Sequence, residues 1–393
     1  TETKSNEGEA AQFESFTIES TNGIVADYYR SYYNVIFRAN LVLDKLELAT
    51  PEKKAAFAAE AKFLRAYAYF NLVRLFGDVP LVEGLISPLD TETAFTRVSS
   101  SLVYDLIVSD LQDAVANLSD GGANDQASKA AAEGILAKVY LTLGRYSEAQ
   151  SLLESIMSPS RGFSLENDFK DVFYNEGNNE VLFAIGYAPS SNDDSQNFSA
   201  EWLNAVGRTS GVNYVSMDAK EFLDANGGNR TALSYREDAA QAGKYQVVKY
   251  LPNGDAALGI PVTSSDPTSA GNDWVVLRYS DVLLMHVEAI MAGGASTSSS
   301  NAIASFQTVR NRAGLTDTVS SISKQELADE RRAELAFENH RFFDLVRLGL
   351  AQDVLSAFSA ANGLGYSTTD LLLPIPSIEI GLSNGLLTQN PGY

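Results

Sequence analysis

The stretch AEAKFLRAYAYFNLVRLFGDVPLV at residues 59–82, taken with ERRAELAFENHRFFDLVRLG at 330–349, decides how this chain folds. The first carries two apolar stripes, Phe63–Tyr67–Phe70 and Leu64–Ala68–Leu72–Leu75. A helix apolar over so much of its circumference must be enclosed by neighbours. Its ends are well punctuated: Thr50 suits the N-cap, Pro51 the first turn, Gly77 the exit, and Pro80 lies beyond. Ala55, Ala58, Ala61 and Ala66 keep it slim enough for close packing. The second stretch belongs to a predicted helix from Lys324 to Leu350, in which Glu338 and Arg341, and Asp344 and Arg347, stand three apart on one face. An ion-paired helix fixing the final packing is expected there, not a catalytic cluster around His340. Both histidines, His286 and His340, fall in helical patterns, which argues against a metal or triad role.

Helical spacing recurs outward from these stretches. Tyr29, Tyr32, Tyr33, Ile36, Phe37, Val42 and Leu43 mark a helix over 28–46, and Tyr104, Ile107, Leu111, Val115 and Leu118 mark another. Residues 129–143 and 147–157 flank LGRYSEA, a phrase like the turn between the paired helices of a tetratricopeptide repeat. From 158 to 277 the periodicity fades, while Gly, Asn, Ser and Asp cluster at 175–179, 190–199 and 224–231. Short strands are predicted at 181–185, 246–250 and 274–279. Helices resume at 281–291, 302–312 and 352–361, and the prolines from Asp370 onward predict an extended or turned tail.

Composition narrows the function. The 393 residues suffice for a substantial core. A formal net charge of −21 argues against nucleic acid, which is held by clustered Lys and Arg, and mildly disfavours polyanionic ligands. No window approaches 18 apolar residues, so no membrane-spanning helix is predicted. With no cysteine there is neither disulfide nor thiolate chemistry. The chain lacks an initiator Met and a signal-type apolar stretch, so a mature or trimmed chain is expected. No phosphate loop and no HExxH occur. DANGGNRTALSYRE at 224–237 imitates a calcium loop but has Gly228 at its fifth position and Tyr235 where the bidentate glutamate belongs. No metal site and no cofactor are expected.

Several elements in order resemble the SusD/RagB family. They are Tyr29…Tyr33…Ile36…Ala39-Asn40, then Ala59–Val82 with Phe76-Gly77-Asp78-Val79-Pro80-Leu81, then Arg97…Tyr104…Ile107…Asp110-Leu111…Ala114. Glu180–Tyr187, Leu277-Arg278-Tyr279-Ser280-Asp281 and Val309-Arg310-Asn311-Arg312-Ala313-Gly314 follow. Glu330-Arg331-Arg332…Glu334-Leu335…Glu338…Arg341…Asp344-Leu345…Arg347 and Pro374-Ile375-Pro376 complete the series. The chain is short for that family, and Tyr29 and Leu348 stand where tryptophan is common.

The resemblance implies a mainly α fold. A tetratricopeptide-like helix-pair superhelix would pack against an irregular, loop-rich region with a few short strands. Within a single unit spanning 1–393, residues 24–157 are read as the N-terminal helices and 158–277 as the irregular ligand-binding region. Residues 278–361 are read as C-terminal helices and 362–393 as the tail. It further implies a non-catalytic, lipid-anchored protein on the outer face of the outer membrane. Such a protein binds oligosaccharides or polysaccharides for a SusC-like TonB-dependent transporter. A peptide-capturing RagB-type protein is the alternative, and a tetratricopeptide adaptor or a glycoside hydrolase are further ones. Glycan binding needs aromatic faces and hydroxyl-binding polar groups outside the core. Trp202, in the polar stretch NFSAEWLNAVGRTSGVNY, is the leading platform, followed by Phe198, Tyr214 and Tyr187, with Asn197 and Arg208 as hydrogen-bonding partners. Trp274, beside Val275-Val276-Leu277, is read as structural.

Overall fold

The computed structural model describes residues 2–3, 8–87, 89–189, 194–203 and 213–393. It is mainly helical with few short strands, as the sequence pattern predicts. The chain divides into two compact units that interleave in sequence. One comprises 7–121, 127–139 and 352–393; the other comprises 1–6, 122–126 and 140–351.

The first unit is built on α1 (Gly23–Asp44), α2 (Pro51–Phe76) and α3 (Ser100–Asn117). Both α1 and α3 pack extensively on α2, which buries Phe63, Tyr69, Phe70, Leu72 and Phe76. Thr50, Pro51 and Gly77 take the expected places at its ends, Gly77 with φ 70°. Arg65 on α2 forks onto both carboxylate oxygens of Asp110 on α3 at 2.7 and 2.9 Å and donates to Asn40 Oδ1 on α1 at 2.7 Å. A bidentate fork fixes the relative rotation of helices as packing alone does not. One tie therefore pins three helices.

The next helix, α4 (Lys129–Thr142), runs across the division into the second unit, where α5 (Tyr146–Ile156) follows. The turn between them places Gly144 at φ 70° and lays the Arg145 guanidinium 4.1 Å from the centre of the Tyr140 ring. In the second unit β1 (Val181–Ile185) pairs antiparallel with a later strand, and β2 (Tyr235–Glu237) with β3 (Tyr245–Val247). The partner of β1 is β4 (Trp274–Arg278), which leads directly into α6 (Tyr279–Met291). Helix α6 packs on α5 and on α7 (Ser300–Arg312), and its apolar face joins Phe306, Val309, Ile322 and Leu327 in one core.

The long helix predicted over 324–350 is two: α8 (Lys324–Glu334) and α9 (Arg341–Arg347). Phe337 and Asn339 between them have φ of 67° and 60°, left-handed values that end an α-helix. Glu338 consequently leaves the helical face where it would meet Arg341, and its carboxylate binds Lys249 at 2.6 Å and Arg278 at 2.7 Å. The spacing argument holds for Asp344 and Arg347, which meet at 2.8 Å. The closing segment also departs from expectation. After α10 (Ala351–Asn362) it contains a helix, α11 (Ser377–Leu382), whose N-cap is Pro376. A proline there loses no helical hydrogen bond, because the first N–H groups of a helix have no partner within it.

Around the α8–α9 break lies a buried ionic cluster. Glu334 is fully buried and receives Arg230 at 2.8 Å, together with Arg278 and Arg312. Arg278 also reaches Glu180, Arg312 reaches the other oxygen of Glu180, and Arg230 reaches Glu330. Burial alone would raise the Glu334 pKa, but Arg312, Arg278 and Arg230 hold the carboxyl well below its usual range. A second cluster ties α6, α8 and α9: Arg331 forks onto Asp344 and donates to Asp281 at 2.8 Å, and Arg347 forks onto Glu288.

Removing one partner of a buried pair leaves the other desolvated and uncompensated, at a cost of about 3–5 kcal/mol. Glu334→Gln, which preserves size, should therefore lower the unfolding free energy by about 3–5 kcal/mol in denaturant titration. Loss below about 1 kcal/mol would mean that water reaches the cluster. Acid should act through the second cluster. Burial would raise the Asp344 pKa, but Arg331 and Arg347 bring it down to about 2 from an ordinary 3.8. Its contribution, about 2 kcal/mol, is present above pH ~4 and lost as pH falls towards 2. Asp344→Asn should flatten that part of the stability profile, measured by denaturant midpoints between pH 2 and 6.

Candidate functional site

The irregular part of the second unit gathers aromatic rings. Trp274, at the end of the β1–β4 ladder opposite Ile185, stacks on Tyr250 with ring centres 5.3 Å apart and planes at 20°. Phe198 meets Trp274 edge-on at 5.3 Å and Tyr250 at 5.4 Å, and Tyr187 meets Phe198 at 5.9 Å. Trp202 packs on the same cluster and meets Phe337 edge-on at 6.1 Å. Tyr250 is buried beneath, whereas Tyr187, Phe198, Trp202 and Trp274 remain partly exposed. Edge-to-face and offset contacts of this kind lock ring orientation.

Local hydrogen bonds explain why the chain presents these rings. Gln196 pairs with Ala270 through both backbone bonds, at 2.8 and 2.9 Å. Its side chain also accepts from the Ser199 N–H and donates to Ser199 Oγ, holding the single helical turn Phe198–Glu201. Asp273 accepts the Tyr187 N–H at 2.9 Å, which joins the exit of β1 to the entry of β4. Gly186 permits the 122–126 segment to lie alongside, since a Cβ there would stand 2.9 Å from Asp125 Oδ2 and 3.0 Å from Asp125 Cβ.

A narrow cleft of about 50 Å³ opens around Asp273, the residue before Trp274. Val172, Phe173 and Val275 contribute apolar lining, and Asn124, Asn175, Asn178, Asn272, Thr263, Glu176 and Asp273 supply its polar groups. Thr263 Oγ1 donates to Asn272 Oδ1 at 3.3 Å, and Asn178 is committed to backbone groups on both sides of its loop. The Asp273 pKa is raised, first by burial and further by Glu176 and Asp125. Amides and carboxylates of this kind can hydrogen-bond hydroxyl groups. A larger hollow, about 170 Å³, lies in the first unit between Tyr29, Arg30, Tyr33, Ala94, Phe95 and Glu379. Its polar groups are committed: Arg30 pairs with Glu379 at 2.6 Å, and Tyr33 donates to the Pro80 carbonyl.

Of the residues singled out in the sequence, Trp202, Phe198 and Tyr187 come together on this cluster, and Asn197 is exposed next to Phe198. Tyr214 does not join them as a platform: it is 2% exposed, with its hydroxyl on Gln241 at 2.7 Å. Arg208 lies outside the described residues. Trp274, read as structural from its apolar neighbours, stacks on buried Tyr250 and meets Phe198 within the assembly. The asparagines and Asp273 of the cleft are not among the residues singled out in the sequence, because polar loop residues have no periodicity to mark them. Position 273, next to an aromatic strand start, was the available signal.

In the loop that imitates a calcium site, Asp224 is bonded to Lys220 and Tyr235, and Arg230 is buried on Glu330 and Glu334. A Ser305–His286–Glu154 hydrogen-bonded series, 2.8 and 3.4 Å, has the outline of a hydrolase triad. Ser305 and His286 are each buried, 3% exposed.

Comparison with known proteins agrees with this architecture. The family described as "SusD family" matches residues 205–393, and that described as "Starch-binding associating with outer membrane" matches residues 2–141. SusD-like protein P2 of Formosa agariphila is 29% identical over 98% of this chain and 84% of its own length. Starch-binding protein SusD of Bacteroides thetaiotaomicron is 23% identical over 93% of this chain and 78% of its own. A laminarin-binding SusD-like protein of known structure superposes with a TM-score of 0.83 at 27% identity, covering 99% of this chain and 90% of that one. The chain belongs to the SusD/RagB family.

Proposed function

We propose that this chain captures oligosaccharides or polysaccharides without chemistry on them. It does so lipid-anchored on the outer face of the outer membrane, and delivers them to a SusC-like TonB-dependent transporter. The observation that carries the proposal is the set of partly exposed rings, Tyr187, Phe198, Trp202 and Trp274, with Tyr187 bonded through its N–H to Asp273 of a cleft of amides and carboxylates. Sugars present C–H faces that bind flat on aromatic rings and hydroxyls that need paired donors and acceptors. The laminarin-binding relative and the starch-binding relative support a glycan as ligand, and the outer-membrane description of the matching family supports the location.

Covering one sugar face removes roughly 100 Å² of apolar surface, about 2–3 kcal/mol before ordering costs. A single ring is therefore too weak, and more than one of these rings must contribute. Trp202 and Tyr187 act as platforms, Asn197 binds hydroxyls, and Arg208 is proposed as a further polar contact.

Calorimetry with a panel of oligosaccharides tests this reading. Trp202→Ala should weaken binding by about tenfold or more with the far-ultraviolet circular dichroism unchanged, and Tyr187→Ala should act in the same direction. Affinity unaltered in both variants would remove these rings from the site. Overnight incubation should return each bound glycan intact. Release of shorter products would establish a hydrolase, and retention of peptides but no glycan would establish the RagB-type alternative.

A further inference from the structure

The rim of the cleft carries charge of a single sign. Asp273 lines it, anchored by the Tyr187 N–H, and Glu176 stands on its exposed lip. Asp125 lies against Gly186 at the end of β1, and both Asp125 and Glu176 act electrostatically on Asp273. Among the described residues lining the cleft there is no lysine or arginine. Among the described residues of this unit, five arginines are committed to buried carboxylates away from the cleft. Arg230, Arg278 and Arg312 hold the first buried carboxylate cluster, and Arg331 and Arg347 hold the second. Carboxylate and sulfate groups on ligands are recognised by guanidinium forks or ammonium groups. Here a ligand anion would meet carboxylates, within a protein of net charge −21. Hydroxyl groups, in contrast, donate well to carboxylates and exchange bonds freely with asparagine amides.

Resting on the glycan-capture reading, we infer that the cleft selects uncharged glycans and rejects carboxylated or sulfated ones, with Asp125, Glu176 and Asp273 as the specificity-determining residues.

The test compares matched ligands in the presence of a chelator, so that no added cation bridges carboxylates. For whichever neutral oligosaccharide binds, beginning with a laminarin-type β-glucan, affinity is measured against its C6-carboxylated derivative of equal length. At low salt the derivative should bind about tenfold more weakly, and the gap should narrow as ionic strength rises. Loss of the C6 hydroxyl alone would give a gap indifferent to salt. The Asp125→Asn/Glu176→Gln double variant, altered only at exposed positions, should raise the ratio of derivative to neutral affinity by about fivefold. Equal or tighter binding of the derivative, a salt-independent gap or an unmoved ratio overturns the inference. So does a protein that retains acidic polysaccharides only, although glycan capture then stands. If neutral and acidic panels both fail to bind, the capture reading itself falls.

Discussion

The Glu334 carboxylate, buried among Arg230, Arg278 and Arg312, is the contact on which the second unit depends. Its partners arrive from the segment before β2, from the end of β4 and from the end of α7. Four arms of chain must therefore be in place before any of these charges is compensated. Apolar burial tolerates changes of orientation, because the hydrophobic effect is non-directional. A desolvated carboxylate does not. Together with Glu180, Glu330 and Glu338, it converts loop-rich sequence into a defined architecture by penalising every arrangement that leaves a charge alone.

That constraint explains which residues are readable. The residues on which the sequence resembles the SusD/RagB family include Glu180, Arg278, Asp281, Arg310, Arg312, Glu330, Arg331, Glu334, Glu338, Asp344 and Arg347. All are members of the buried ionic clusters or bonded to them. In the first unit, Asn40, Arg65 and Asp110 form the corresponding tie. Helices were legible because apolar periodicity reports burial directly. The break after α8 was not, since no glycine or proline marks it and Phe337 and Asn339 adopt left-handed backbone under tertiary demand.

The site was legible only in part, for a physical reason. Trp202, Phe198 and Tyr187 stood out as aromatics in polar surroundings, and that contrast is local. Whether an aromatic ring faces solvent is decided by distant chain, as Tyr214 and Trp274 illustrate in opposite directions: one is sealed by Gln241 and its neighbours, the other stacked but still open on one side. The asparagines of the cleft carry no signature at all, because an amide that turns a loop and an amide that greets a hydroxyl are the same residue type.

Phe337 belongs to both worlds. Its ring braces Trp202, while the next residue along the chain, Glu338, is bonded to Lys249 and Arg278. A surface aromatic on a loop would ordinarily lose conformational freedom on meeting a ligand, and that loss subtracts from affinity. Here the freedom is already surrendered when the protein folds. The left-handed turn at Phe337 thus works as a rivet between the charged interior and the solvent-facing rings, so that the rigidity of the one becomes the preorganisation of the other.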